Sequence, residues 1–308
     1  MVRRLAVLVS PAVIPVGRSH AIWALTLIVA IFTWALAGCR GGPNAAFTEL
    51  ADARRLAADL RVEFSKSGDA SNRAVMADTD EESLVFAREA EQATQTVQSD
   101  IAALGPHLRN LGYSTDGRLL EEFAKHFAEY LTLDHSVLEL AVENTNLKAQ
   151  RLSFGPAREA ADGFRSALET VGPLSKDHCR VESLVAKAVL AVRDIQVLQA
   201  PHIAESDDAA MTRMEAEMGA LEAAASDALN RISGLVDAKA QPQLAAASAA
   251  LDRFKDVSRR IVALSRRNSN VRSLALSLRE KPVLTAACDD SLRSLEEALT
   301  KEGFTATR

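Results

Sequence analysis

Six polar side chains in this 308-residue chain have the type and spacing to hold a small molecule: Asn144, Lys148, Arg193, His202, Asn268 and Arg272. Asn144 lies between Leu140 and Leu147, and Asn268 between Leu264 and Val271, so each falls on the apolar seam of a helix. Such an asparagine has two readings. It fixes helix register at a cost in stability, or it bonds a ligand inside a bundle together with Lys148 or Arg272 one turn along. His202 ends a stripe of Leu184, Ala188, Ala191, Ile195 and Leu198, which points it inward to cap a helix end or to meet a ligand. Arg193 and Arg272 carry forks that suit a carboxylate, or pair with neighbouring acids at the surface.

Catalytic patterns are missing. The chain has no Cys-x-x-Cys-His, no His-Glu-x-x-His and no Glu-x-x-His, and its glycines form no phosphate-cradling loop. Met211, Met214 and Met218 are chemically able to ligate a soft metal or haem, but their spacing is that of a helix core. The expectation is a protein that is not an enzyme and holds no metal or cofactor.

The elements that must position these residues are helices. Gly and Pro punctuate long helical patterns at Gly105-Pro106, Gly155-Pro156, Gly172-Pro173, Pro201, Pro242 and Pro282, which read as joints. The spacing predicts helices over 44–77, 80–110, 115–154, 157–171, 174–203, 207–236, 240–279 and 282–301. Phe254, Val257, Ile261, Leu264, Asn268, Val271, Ala275 and Leu278 form one seam, and Met211, Met214, Met218, Leu221, Ala225, Ala228, Ile232 and Leu235 form another. Seams of this kind pack as left-handed, near-antiparallel bundles.

The chain also repeats itself. Asn144-Thr145-Asn146-Leu147-Lys148 returns as Asn268-Ser269-Asn270-Val271-Arg272, and Leu152-Ser153-Phe154 as Leu276-Ser277-Leu278, both at a shift of 124. Ala77-Asp78-Thr79-Asp80-Glu81 returns as Ala204-Glu205-Ser206-Asp207-Asp208 at a shift of 127. The unequal shifts imply a small deletion in the second copy. The fold expected is all-α: two tandem antiparallel four-helix modules, 44–172 and 173–303, with a tail at 304–308.

Composition agrees with helices. Trp23, Phe32 and Trp34 lie in the first 38 residues, which leaves 11 aromatic residues and no tryptophan for the rest. A sandwich or barrel needs many more aromatic and β-branched residues at period 2. Formal charge is −5, but Arg3, Arg4 and Arg18 precede any acid, and without them 33 basic residues face 41 acidic ones, a net of −8. A mildly acidic body with interspersed signs argues against a nucleic-acid footprint.

The N-terminus points out of the cytoplasm. A charged start, an apolar run from Ala21 to Ala35 and small residues before Cys39 make a secretory signal over 1–38. Leu36-Ala37-Gly38-Cys39 resembles the lipobox of bacterial lipoproteins, which implies cleavage before Cys39 and diacylglyceryl attachment to its thiol, with 39–43 as tether. The alternative is an uncleaved anchor helix, since Ala21 to Gly38 is just long enough to cross a bilayer. Cys179 and Cys288 are then expected to be free, with Cys288 in the core. Arg40 after the cysteine is not the aspartate that retains some lipoproteins at the inner membrane, so the analogy favours the outer membrane where one is present.

Arg193-Asp194-Ile195-Gln196, His202-Ile203-Ala204-Glu205-Ser206-Asp207 and the stretch from Asn268 to Ser277 resemble the extracytoplasmic four-helix sensor domain of methyl-accepting chemotaxis receptors. The likeness is best over about 176–305 and weaker over 44–172, where Val75 stands for the histidine. It implies a sensory or ligand-binding module that partners a membrane receptor or a second copy. The family's second span and cytoplasmic output have no counterpart in this sequence, so the expected signal passes to another membrane protein. A small organic anion is one expected ligand; the alternative is a scaffold lipoprotein with no small-molecule ligand.

Overall fold

The computed structural model describes residues 43–305, and those residues form helices and short turns without a strand. The signal segment, Cys39 and nearly all of the tether lie outside the described residues. In chain order the α-helices are α1 (Pro43–Met76), α2 (Asp80–Leu111), α3 (Ser114–Glu143), α4 (Thr145–Leu152), α5 (Arg158–Glu169), α6 (His178–Ala204), α7 (Asp208–Ser233), α8 (Gln241–Arg267), α9 (Ser269–Arg279) and α10 (Lys281–Thr305). No helix among them is long and apolar enough to cross a membrane.

Capping explains where the chain turns. Thr79 accepts from Glu82 N to start α2, Gly112 ends it at φ 75°, and Asp207 accepts from Ala210 N to start α7. Thr79 and Asp207 are 128 residues apart, so the structural equivalence of these two turns is one residue longer than the 127 of the sequence similarity.

Four expected joints do not turn the chain, and two of them, Gly105-Pro106 and Pro201, lie inside α2 and α6. Gly155-Pro156 lies in a π-helical turn, Ser153–Ala157, whose ends keep helical dihedrals, so α4 runs on into α5. A wider turn absorbs a proline that lacks its N–H. Between α9 and α10 only Glu280 intervenes, at φ −94° and ψ −43°, still near the helical region. The breaks fall elsewhere: the predicted helices 115–154 and 240–279 are each cut in two, at Asn144 (φ 49°) and Asn268 (φ 55°). These are left-handed positions, which asparagine tolerates better than other non-glycine residues.

The consequence is an exchange. One core gathers Phe64, Val97, Phe123 and Tyr130 from α1 to α3 with Cys288, Leu292, Leu295 and Leu299 from α10. The other gathers Ala157, Phe164 and Leu168 with residues of α6, α7 and α8. Each half of the chain therefore lends its last helix to the other half's core. The packing does not follow the expected division at 172/173, because the joint that would have returned α5 to its own half is a π turn rather than a reversal.

Scarce aromatics concentrate in the first core. Phe64 meets Phe123, Phe127 and Tyr130 edge-on, at centroid distances of 6.2, 6.0 and 5.0 Å. Such pairs add about 0.5–1.5 kcal/mol each beyond their burial. Cys288 is wholly buried beside them, and burial pushes its thiol up to about 12, while Cys179 is exposed; both are free.

Candidate functional site

The two asparagine breaks meet. Where α3 passes into α4 and α8 into α9, the two helix starts face each other, and their first amides need acceptors. Each supplies the other's. Thr145 N donates to Ser269 Oγ and Ser269 N to Thr145 Oγ1, both over 3.0 Å, while Asn146 N donates to Asn270 Oδ1 and Asn270 N to Asn146 Oδ1, both over 3.1 Å. Asn146 Nδ2 reaches Asn268 Oδ1 over 2.7 Å, and Asn270 Nδ2 reaches Asn144 Oδ1 over 2.8 Å. Two positively polarised helix ends are held together by side-chain oxygens.

The reciprocity is incomplete: Asn146 Nδ2 also donates to Ile203 O over 2.6 Å, a bond that Asn270 does not repeat, and the first asparagines differ as well. Asn268 Nδ2 donates to Glu205 O over 2.6 Å, but Asn144 Nδ2 is buried without a partner. Asn144 and Asn268 are thus hinge residues of a crossing, not seam residues of continuous helices. Beyond the break the buried face of α9 carries Ser269 and Ser273, and Leu278 of the expected seam is exposed.

The other expected site residues disperse. Lys148 donates to Glu143 O over 2.7 Å and caps the end of α3. Arg193 and Arg272 are exposed, and neither side chain makes a hydrogen bond or ion pair among the described residues. His202 is fully buried in the second core's end: Nδ1 lies 2.8 Å from Ser265 Oγ, and Nε2 donates to Glu215 Oε1 over 2.9 Å. Arg266 Nε also donates to that oxygen, over 2.6 Å. This hydrogen bond, with a further one from His202, holds the Glu215 carboxyl below the usual glutamate range against the opposing effect of burial.

Sequence reasoning passed over the site with the most unusual chemistry. Lys281, at the start of α10 and 4% exposed, lies 2.6 Å from Asp134 Oδ1 and donates to Ser71 Oγ over 2.5 Å. Ser71 in turn donates to Asp134 Oδ1 over 2.6 Å. The Lys281 ammonium stands 5.4 Å from the ring centre of Tyr130, whose hydroxyl is pushed up by burial and then by the charge of Asp134. Lys281 and Tyr130, with Phe64, line a cavity of about 500 Å³ between α1 and the α9–α10 arm, and Asp134 and Ser71 stand behind Lys281.

The repeat shows what is special here. At the shift of 124, Lys281 corresponds to Ala157, Asp134 to Ser258 and Tyr130 to Phe254, and at 128 Ser71 corresponds to Gln199. In the second core Gln199 Nε2 donates to Ser258 Oγ over 3.1 Å, a neutral bond in the place of the ion pair. A buried ion pair is costly to desolvate, and one copy of the fold does without it. Asp134 continues the seam of Phe123, Phe127 and Tyr130, and Lys281 opens that of Cys288, Leu292, Leu295 and Leu299, so a charge on each apolar seam was the signal in the sequence. Compared with protein-family models and with curated protein sequences, the chain matches none.

Proposed function

We propose that this chain is a lipid-anchored sensory or ligand-binding protein of the cell envelope, built from two four-helix units that exchange their last helices and related to chemoreceptor sensor domains. Its thiol anchor is Cys39, its body faces the periplasm or exterior, and its partner is a membrane receptor or a second copy. The observation that carries the binding role is the Lys281–Asp134–Ser71 cluster beside the 500 Å³ cavity, in a fold whose other copy closes the same place with Ala157 and Ser258. Ligand entry between α1 and α10 would shift helices that run through the crossing into the second core.

The scaffold reading draws on a different observation, the reciprocal hydrogen bonds that tie the two helix starts at the crossing, which suit a stiff spacer. A thermal-shift screen of organic acids, amino acids and amines on the full chain separates the two. A ligand present at a hundredfold its Kd adds about 2.7 kcal/mol, a readily measured rise in Tm. No rise with any compound turns the assignment to the scaffold. Labelled palmitate incorporated by the wild type but not by Cys39→Ser tests the anchor.

A further inference from the structure

We propose that the cavity beside Lys281 takes a small organic cation, an alkyl or quaternary amine, rather than an anion. This rests on reading the chain as a ligand-binding module and names the ligand class of that same site. Lys281 is the one cation lining the cavity, and it is already spent: its ammonium is buried against Asp134 and Ser71. Asp69 of α1 and Asp289 of α10 line the two opposite walls, and neither has an ion-pair or hydrogen-bond partner among the described residues. The Asp69 charge is felt at the floor, where it adds to the field on the Tyr130 hydroxyl. Two uncompensated carboxylates on facing walls, over a floor closed by the buried Phe64 and Tyr130, are surroundings in which an ammonium is held by charge.

The second core shows that this charge is not inherited with the fold. Asp69 corresponds to Val197 and Asp289 to Arg165, while Ser65 on the cavity wall corresponds to Arg193. The expected carboxylate clamp at Arg193 thus stands on the copy that lacks the buried pair. Space also belongs to the first copy: a Cβ added at Gly68 would stand 3.8 Å from the Tyr130 hydroxyl, an ordinary contact, and Gln196 fills the corresponding position.

The test is a thermal-shift and calorimetric titration of the full chain in detergent with putrescine, spermidine and choline, and in parallel with acetate, succinate and malate. The proposal expects at least one amine to bind, with Asp69→Asn and Asp289→Asn each weakening it by about tenfold. Gly68→Leu, which improves helix propensity and projects into the cavity, is expected to abolish binding while circular dichroism and the unliganded melt stay intact. Binding of acids but not amines overturns the cation assignment and leaves the ligand-binding reading standing. Amine binding that survives Asp69→Asn, Asp289→Asn and Gly68→Leu also overturns it. Silence from both compound sets overturns both readings.

Discussion

Glu143 and Arg267 occupy the same place in the two repeats, 124 residues apart, and they are bonded to each other. Arg267 Nε donates to Glu143 Oε2 over 2.7 Å and Nη2 donates to Oε1. A crossing with near two-fold symmetry brings equivalent positions together, so identical charges there would repel, and the two copies have diverged to opposite signs. Glu143→Arg should therefore lower the Tm, and the exchange Glu143→Arg with Arg267→Glu should restore it. Differential scanning calorimetry of the four proteins measures the coupling; additive losses in the double variant would contradict the pairing.

The left-handed residues predict an asymmetry. Replacing either asparagine by alanine imposes about 1–2 kcal/mol of backbone strain. Asn268→Ala also removes the donor to Glu205 O and the acceptor for Asn146, whereas Asn144→Ala removes an acceptor and an amide that had no partner. Urea unfolding should rank Asn268→Ala as more destabilising by about 1 kcal/mol, the worth of one further hydrogen bond. Asn144→Gly should recover most of its loss, because glycine adopts the same dihedrals without strain.

The buried pair in the first core predicts non-additivity. Lys281→Ala alone leaves Asp134 buried with only Ser71, and Asp134→Ser alone strands the ammonium, each at a cost of about 3–5 kcal/mol. The double variant copies the Ala157 and Ser258 of the second core and should be far closer to wild type than either single change. A loss in the double variant equal to the sum of the two single losses would show that the pair acts as two independent contacts.

Acid should loosen the crossing and the second core's end. Arg267 holds Glu143 and Arg266 holds Glu215 below the ordinary glutamate value of 4.5, chiefly by hydrogen bonds. A depressed folded-state pKa stabilises fully above the unfolded value and is lost as pH falls through the folded one. Tm should be flat at neutral pH and decline below about 4.5, the pKa of an unperturbed glutamate. Arg266→Gln should lower the Tm at pH 7 and make that acid decline shallower; an unchanged slope would remove Glu215 from the account.

Much of this was legible in the residues. The helical period, the Ala- and Leu-rich body, the repeat at 124 and the inward-facing His202 all follow from spacing. The second asparagine of each repeat, Asn146 and Asn270, stood in the quoted motif, but its role depends on two helix starts meeting, a long-range event that local pattern does not encode. Continuity was misjudged for a related reason. Gly155-Pro156 has the composition of a stop, yet a π turn carries the chain on, and Asn268 has the spacing of a core residue, yet its backbone is left-handed. Lys281 and Asp134 each stand as a charge on an apolar seam, but they lie 147 positions apart in sequence, so their pairing became visible only through the exchange of α10.

Everything proposed for the cavity depends on α10, and not α5, lying beside α1. Arg61 and Glu296 are paired across that contact, Nε to Oε1 over 3.0 Å and Nη2 to Oε2 over 2.9 Å. In a chain with Cys39 and Cys179 replaced by serine, cysteines at 61 and 296 should be joined within one molecule by a short bis-maleimide, as read by mass spectrometry. A second protein carries cysteines at 61 and 169, the position that the unexchanged arrangement would bring near α1. Linkage in the first protein and none in the second is the predicted result; linkage at 61 and 169 with none at 61 and 296 would contradict the exchanged fold and the site built on it.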